Sequence, residues 1–428
     1  MSALDELLED HSRDAVPQEK TVSGLRIGMI LTGITITVPA FLVGIELGQG
    51  MGFLQSSGAA FTGGLVLFLV VALSGTIAAK THLSTYMILQ YTFGRQGGRI
   101  VSFIIALTSL GWFAVTLGLF ADALASTLAN YLGLVFEPNT YLLPGSILMI
   151  GTTIFGFKAL DKISLAIVPL LALFLVFVAL YSLRLSGFDS VLAFQSSTIS
   201  FGQGVSAVIG GYIVGMTLLP DLCRYAKSTL AGIKGAFIGS FIGYPLVLVL
   251  SALPSIATLT HDYVAILAGL GLGGLGVIML ILATWTTNAN NLYSGSLAIS
   301  SIITSLAKWK ITIIIGLAGS LLAVSGLTQN LIGFLLILGY LVPPVAGVYI
   351  TDYFLISDNY RDRNLETQRN YKTEAFLSWI IASSVGYATT SGYFFFTSIP
   401  SLDTIIVASV SFYFLSRVLS FRHQAKSS

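Results

Sequence analysis

The chain consists mostly of long apolar stretches, separated by short segments that carry charged residues, proline or glycine. A helix needs about 20 apolar residues to cross the hydrocarbon core of a bilayer, and stretches of this length recur from residue 24 onwards. The pattern therefore predicts an all-α membrane protein with twelve transmembrane helices. The predicted spans are 24–50, 58–80, 100–132, 140–158, 163–184, 204–222, 230–257, 272–303, 310–326, 330–355, 374–395 and 400–417.

The composition agrees with a membrane protein, since 55% of the residues are apolar and 9% are charged, whereas a soluble domain has about 25% charged residues. The acidic start of the chain has no apolar stretch of the signal-peptide kind, so we expect the first membrane helix to anchor the protein. The single cysteine, Cys223, cannot form an intrachain disulfide, and the histidines are too scattered for a metal cluster. We therefore expect no cofactor. The basic residues form no stripe that could follow a phosphate backbone, so we do not expect nucleic acid as a partner.

Two predicted spans contain glycine and proline at corresponding positions. Span one includes Gly-Ile-Thr-Ile-Thr-Val-Pro at 33–39, and span six includes Gly-Gly-Tyr-Ile-Val-Gly at 210–215, followed by Pro220. These residues weaken a helix interior, and freed backbone groups are tolerated in a membrane only where protein or a polar cavity covers them. Paired breaks indicate the binding site of an inverted-repeat transporter. The alternative is that glycine and proline are simply frequent in membrane helices.

The spacing of these breaks predicts the domain organisation. Spans one and six lie five apart, so we expect spans 1–5 and 6–10 to form a 5+5 inverted repeat, with two further helices appended. If both termini are cytoplasmic, only Arg184 of the 21 basic residues lies outside, as the positive-inside rule requires; we therefore expect a multi-pass protein of the plasma membrane. The predicted segments are 1–23 (cytoplasmic tail), 24–355 (ten-helix transport core), 356–373 (cytoplasmic loop), 374–417 (two appended helices) and 418–428 (cytoplasmic tail).

The most polar stretch of any predicted span is the run Thr-Trp-Thr-Thr-Asn-Ala-Asn-Asn in span eight. The hydroxyls of Thr286 and Thr287 share a helical face with the carbonyl of Ala283, and the break in span one frees the carbonyls of Gly33 and Ile36. Such oxygens are the ligands with which alkali cations are coordinated in broken-helix transporters. The alternative is that both hydroxyls bond back to carbonyls of their own helix.

Two aromatic residues are candidates for holding a planar ligand. Trp112 lies well inside span three, although tryptophan usually lies at the membrane interface, and Tyr212 lies within the predicted break of span six. Aromatic side chains stack on nucleic-acid bases with about 1–3 kcal/mol each. Taken singly, each residue is also compatible with a plain packing role.

Three acidic residues lie at or near span ends. Asp221 has Arg224 three residues later, which predicts a cytoplasmic clasp between them, whereas Glu46 and Asp122 have no evident partner and remain open as proton sites. The chain has no G-x-x-x-x-G-K-[ST] loop for ATP phosphates, so transport is expected to use an ion gradient. It also offers no clustered histidines or paired carboxylates within a span, which argues against a membrane-embedded enzyme.

Several segments in order resemble the nucleobase-cation symporter family, and most closely the bacterial cytosine permeases. The resemblance runs from the broken first span to span ten and covers most of the chain. Its segments are Thr81-His82-Leu83, Tyr91-Thr92-Phe93-Gly94, Leu110-Gly111-Trp112-Phe113, Pro220-Asp221-Leu222-Cys223-Arg224-Tyr225, Trp285-Thr286-Thr287-Asn288 with Leu292-Tyr293, and Val342-Pro343-Pro344-Val345-Ala346-Gly347 with Asp352-Tyr353.

The resemblance implies a leucine-transporter-type fold in which a planar nitrogen heterocycle is held between Trp112 and Tyr212. It also implies symport with a cation, which sodium-coupled members hold between spans one and eight; proton-coupled relatives leave the ion open. Because both hydroxyls of that site are kept, the resemblance favours the cation interpretation over self-bonding. The implied cation ligands are Gly33, Ile36, Ala283, Thr286 and Thr287.

The chain departs from the cytosine-permease pattern at positions expected to hydrogen-bond the substrate. It has Ser109 in place of a glutamine, Ala283 in place of an asparagine and Val214 in place of a serine, which leaves Asn288 as the best candidate for contacting a ring edge. Because a site built for hydrogen bonds rejects ligands that lack the matching groups, cytosine itself cannot be assumed. Other purines or pyrimidines, a hydroxymethylpyrimidine precursor of thiamine, or a hydantoin or allantoin remain alternatives, as does a non-transporting sensor.

Overall fold

The computed structural model describes residues 11, 14–261, 263–326, 337–357, 360, 365, 368–393, 396–397 and 399–427. Within them the regular structure is helical, apart from one isolated bridge between Val22 and Ala226. The predicted all-helical fold class is therefore confirmed. Outside the described residues lie most of the predicted N-terminal tail, the start of the predicted tenth span, much of the predicted loop 356–373 and Ser428.

The helices follow one another with short connections. The first eight are α1 (Gly24–Thr35), α2 (Val38–Met51), α3 (Phe53–Thr81), α4 (Thr85–Phe93), α5 (Arg95–Leu132), α6 (Leu142–Thr153), α7 (Phe157–Ser186) and α8 (Phe188–Ala193). The others are α9 (Phe201–Thr217), α10 (Pro220–Cys223), α11 (Thr229–Thr258), α12 (Tyr263–Gly269), α13 (Gly273–Ile302), α14 (Lys308–Val324), α15 (Ile337–Ile356), α16 (Thr373–Thr390) and α17 (Pro400–Ser427).

Each predicted span coincides with a helix or with a bent pair of helices. Among the described residues, six helices are long and apolar enough to cross a membrane by length and composition, and the bent pair α1 and α2 makes up to seven. The six are α3, α5, α7, α11, α15 and α17. The other predicted spans coincide with α6, α9, α13, α14 and α16, which are shorter or carry more polar residues.

Span one is broken where the sequence predicts it. Helix α1 ends at Thr35, α2 begins at Val38, and the two are bent by 70°. The hydroxyl of Thr37 accepts a hydrogen bond from the Ala40 N–H at 3.2 Å and so caps α2. Pro39 lies in the first turn of α2, where a missing N–H costs no helical bond. Threonine and proline together thus start a new helix in mid-span.

The break in span six lies later than the glycines predict. Helix α9 runs through Gly210–Gly215 to Thr217, and the turn falls at residues 218–219 before α10 begins at Pro220. An interior glycine costs a helix only about 1 kcal/mol, whereas proline costs about 3 kcal/mol because its ring clashes with the carbonyl four residues earlier. That carbonyl, on Met216, accepts instead from the Leu219 N–H at 3.3 Å. Tyr212 therefore lies on a continuous helix and not within the break.

Helix α11 packs against both halves of the broken span through small residues. A Cβ added at Gly28 of α1 would lie 2.6 Å from Cβ of Ile238, and one added at Gly44 of α2 would lie 2.4 Å from the carbonyl oxygen of Leu248. Small residues allow membrane helices to approach closely enough for backbone contact. The bend of span one is thus held from the side by one long helix.

We expect Gly44→Ala to destabilise the fold by about 1–3 kcal/mol, because the added methyl meets backbone of α11, which cannot rotate away. The matched control is Gly151→Ala in α6, where an added Cβ meets no neighbouring atom within 4 Å and helix propensity improves. Thermal unfolding of both purified variants in detergent measures the difference. A Gly44→Ala protein that unfolds at the wild-type temperature contradicts this account of the packing.

Candidate functional site

A cavity lies where the break in span one meets helices α5, α9 and α13. Its volume is about 120 Å³. One water molecule needs about a tenth of this space. The space is therefore suited to a small ligand. The lining includes Thr35, Thr37 and Pro39 at the break, Thr108, Ser109, Trp112 and Thr116 of α5, Gly210, Gly211, Tyr212, Val214 and Gly215 of α9, and Thr287, Asn290, Asn291 and Ser294 of α13.

The two aromatic candidates, Trp112 and Tyr212, line this same cavity from different helices. Tyr212 is held in place because its hydroxyl donates to the carbonyl oxygen of Leu31 at 3.3 Å. Its ring also packs on that of Tyr244, with centroids 4.8 Å apart and planes inclined by 40°. A Cβ at Gly215, one helical turn after Tyr212, would lie 3.3 Å from the Tyr212 ring. Glycine at this position therefore avoids a tight contact with the ring.

Ser109 and Val214 also line the cavity, and both are almost completely buried. The shorter Ser109 in place of a glutamine and the apolar Val214 in place of a serine therefore border the space where a ligand would lie. They leave this part of the lining less able to form hydrogen bonds than a glutamine and a serine would.

Asn288 does not line the cavity, contrary to the sequence-based expectation. Its side chain is fully buried between helices, and its amide donates to the carbonyl oxygen of Phe113 at 3.1 Å and to the sulfur of Met149 at 3.2 Å. Its carbonyl oxygen accepts from the amide of Asn291 at 3.2 Å. The hydrogen bonds of the Asn288 side chain thus join packed helices.

The amides that do line the cavity are those of Asn290 and Asn291, which the sequence-based selection missed. The side-chain oxygen of Asn290 is buried and has no hydrogen-bond partner among the residues that the structure describes. Helical periodicity could have identified these residues. Positions three, four and seven after Thr287 share its helical face, whereas Asn288, the next residue, points about 100° away. Those positions are Asn290, Asn291 and Ser294.

The hydroxyls of Thr286 and Thr287 each donate to the carbonyl oxygen of Ala283 at 2.9 Å. Bonding back to the own helix is thus present in the structure. It uses only the hydroxyl protons, however, so the hydroxyl oxygens keep lone pairs with which they can coordinate a cation. Both residues are buried, and Thr287 lines the cavity.

The break in span one leaves two carbonyls without their helical donors. In a continuous helix the N–H groups of Thr37 and Ala40 would bond to Gly33 and Ile36, four residues earlier. Instead the Thr37 N–H donates to the carbonyl of Thr35 at 2.9 Å, and the Ala40 N–H donates to the Thr37 hydroxyl. These are the two carbonyls that the sequence singled out, and α1 packs against α13, which carries the threonine pair.

Asp221 and Arg224 follow the break in span six and join it to other elements. The Asp221 carboxylate accepts from the Thr85 N–H at the start of α4 at 2.8 Å. The buried Arg224 guanidinium donates to the hydroxyl of Tyr293 at 2.9 Å and to the backbone carbonyl of His11 at 2.6 Å. Between the two residues, Arg224 Nε donates to the backbone carbonyl of Asp221 at 3.2 Å, while their other contacts reach α4, α13 and the segment before α1.

The other acidic candidates lie away from the cavity. Glu46 and Asp122 are exposed and do not line it. The Glu46 carboxylate lies 3.2 Å from Nδ1 of His261, and both side chains are 60% exposed. A carboxyl group at either position is thus remote from the threonine pair and from both aromatic walls.

Two broken spans around a central cavity in an all-helical membrane fold define a multi-pass membrane transporter. The profile of the family described as permease for cytosine/purines, uracil, thiamine, allantoin matches residues 15–409. The chain belongs to this family, as the sequence resemblance indicated, and is a permease and not an enzyme.

Relatives and solved structures agree with this placement. Cytosine permease of Escherichia coli K12 is 26% identical over 96% of this chain and 94% of its own length. Allantoin permease of Bacillus subtilis is 24% identical over 86% of this chain and 82% of its own length. The fold is similar to Mhp1, a nucleobase-cation-symport-1 family transporter in a closed conformation with bromovinylhydantoin bound, with a TM-score of 0.82 and 18% identity over 97% of this chain and 96% of that one.

Proposed function

We propose that the protein imports a planar nitrogen heterocycle, such as a purine or pyrimidine nucleobase, across the plasma membrane by symport with sodium. The observation that carries this proposal is that Trp112 and Tyr212 line one small cavity with the unpartnered amide oxygen of Asn290. Flat aromatic faces suit a planar ring. A buried acceptor without a donor suits a ring N–H or amino group, because leaving it unpaired costs about 1–3 kcal/mol.

The relatives support a heterocycle but not one particular compound. They are named for cytosine and allantoin, and the structurally similar Mhp1 holds a hydantoin. All are small nitrogen-containing rings with N–H donors and carbonyl acceptors. A hydroxymethylpyrimidine precursor of thiamine is a second candidate, because the family description includes thiamine and Ser109, which is shorter than a glutamine, leaves room for a substituent.

Sodium is proposed as the coupling ion because the broken span one and helix α13, which pack against each other, both carry oxygen atoms suited to a cation. The carbonyls of Gly33 and Ile36 lack their helical donors, and Thr286 and Thr287 present hydroxyl oxygens around the carbonyl of Ala283. Unwound carbonyls of this kind coordinate sodium in transporters with broken helices. Protons remain the alternative, but the exposed carboxyls at positions 46 and 122 lie outside the cavity lining.

The orientation follows from the distribution of charge. With both termini in the cytoplasm, the predicted cytoplasmic segments carry all but one of the 21 basic residues. We also propose that residues 24–355 form a ten-helix transport core and that residues 374–417 form two appended helices.

Uptake into proteoliposomes tests the proposal. The purified protein is given labelled cytosine, uracil, adenine, allantoin, hydantoin and hydroxymethylpyrimidine, each with an inward sodium gradient, with an inward proton gradient and with neither. We expect one class of ring to accumulate under the sodium gradient. Accumulation under the proton gradient alone overturns the choice of ion, and binding of a ring without uptake under any gradient identifies a sensor.

We expect Asn290→Ala to weaken binding of the transported ring about 2- to 10-fold, through loss of one hydrogen bond at the ring edge. The control is Asn288→Ala, which removes the bond to the Phe113 carbonyl and should lower the unfolding temperature, with a smaller loss of affinity because this side chain reaches the cavity lining only through the Asn291 amide. Equilibrium binding and thermal unfolding of both variants separate the two roles. The assignment is wrong if the affinity falls for Asn288→Ala and not for Asn290→Ala.

A further inference from the structure

A groove on the outer surface lies between the first turns of α1 and α11. Its volume is about 440 Å³, and it shares no lining residue with the central cavity. It lies where both helices begin, at the ends of predicted spans one and seven. The residues that line it are Ser23, Gly24, Leu25, Lys227, Ser228, Leu230, Ala231, Lys234, Phe237 and Ile238.

The groove combines two positive charges with exposed apolar side chains. Lys227 and Lys234 are exposed, and within the described part of the chain neither is paired with a carboxylate. Leu25 and Leu230 are 61% and 58% exposed. The nearby carboxylate of Asp161 is engaged elsewhere, with Arg26 at 3.5 Å.

The position of Lys227 is set by the backbone around it. Its N–H donates to the carbonyl of Val22 at 3.0 Å, and its carbonyl accepts from the side chain of Gln18 at 3.3 Å. The segment before α1 thereby fixes one wall of the groove. The backbone of Lys227 is thus fixed at the edge of the groove, from which its exposed side chain extends.

We propose that this groove binds an anionic phospholipid, with its phosphate between Lys227 and Lys234 and its acyl chains along Leu25, Leu230 and Phe237. Basic pockets beside apolar surface at the cytoplasmic ends of membrane helices suit anionic lipid headgroups. A soluble anion would leave the leucines uncovered. The choice of the cytoplasmic leaflet rests on the orientation given under the proposed function; the binding itself requires neither transport nor a particular substrate.

The lipid would contact α1, which is the first half of the broken span, and α11, which packs against that span. A Cβ added at Gly24 of α1 would lie 2.6 Å from the carbonyl oxygen of Ala231 in α11, so these helices touch at backbone distance beside the groove. A lipid that contacts both helices stabilises this close packing by mass action. The lipid would thus stabilise the packing of α1, the half of span one that leads to Gly33 and Ile36.

The test uses the purified full-length protein in neutral detergent, titrated with dioleoyl phosphatidylglycerol or dioleoyl phosphatidylcholine, with bound lipid measured by native mass spectrometry. We expect preferential binding of phosphatidylglycerol, weakened about 30-fold in Lys227→Gln/Lys234→Gln, since each lysine near a lipid headgroup contributes about fivefold. The control is Lys158→Gln/Lys310→Gln, which removes two exposed lysines outside the groove. Because no uptake is measured, failure here is distinct from failure of the proposed transport.

Four outcomes overturn the proposal. One is equal binding of the two lipids, and another is an equal loss of binding in the control pair. The third is a groove filled by the acidic residues 1–10, which would show as phosphatidylglycerol binding only after their deletion. If inorganic phosphate at millimolar concentration competes fully with the lipid, the site recognises a free anion and the assignment to lipid is also overturned.

Discussion

Trp112→Ala is expected to weaken binding of the transported heterocycle about 5- to 150-fold, with little change in the unfolding temperature. The estimate follows from a stacking contribution of about 1–3 kcal/mol for one aromatic face. Trp112 is only partly buried and borders the cavity, so its truncation enlarges an existing space and is expected to cost less packing than truncation of a fully buried tryptophan. Equilibrium binding of the transported ring to purified protein measures the effect.

Two controls separate stacking from packing at this position. Trp112→Phe keeps a flat face and should recover most of the affinity. Trp285→Phe changes a tryptophan of α13 that bonds to the Thr152 hydroxyl at 3.1 Å and does not line the cavity, so the affinity should stay at the wild-type level. An unchanged affinity in Trp112→Ala shows that the ring is held elsewhere.

The sequence predicted the helices and the first break because both depend on local chemistry. Apolar stretches of membrane length are visible without any knowledge of packing. At the first break, Thr37 can cap a new helix and Pro39 fits its first turn, so the interruption follows from two adjacent residues. Proline also determines the second break, and giving the glycines equal weight displaced the prediction by several residues.

The polar edge of the cavity was harder to predict because it depends on which face of α13 is turned inward. The run of threonines and asparagines was evident, but its residues point in several directions around the helix. Once one residue is known to face the cavity, as Thr287 does, periodicity selects Asn290 and Asn291 and rejects Asn288. That reference point comes from helix packing, which a single sequence does not reveal.

The proposed cation site depends on both kinds of inference, because its candidate residues come from a break visible in the sequence and from a helix face that only packing reveals. The Thr286 and Thr287 hydroxyls satisfy their own protons at the Ala283 carbonyl, which orients their lone pairs without any ion. A site arranged in this way needs little rearrangement on binding. The interpretation as self-bonded threonines and the interpretation as cation ligands are therefore compatible, and only a functional measurement separates them.

Thr287→Ala is expected to raise the sodium concentration for half-maximal uptake about tenfold or more, because one oxygen that contacts a charged ligand is lost. Thr287→Ser keeps that oxygen and should remain close to wild type. Thr284→Ala is the matched control, since its hydroxyl lies one turn earlier in α13, donates to the Leu280 carbonyl at 2.7 Å and does not line the cavity. Uptake measured against sodium at fixed proton gradient reports the change. Sodium dependence that is unaltered in Thr287→Ala, or altered equally in Thr284→Ala, refutes this position for the ion.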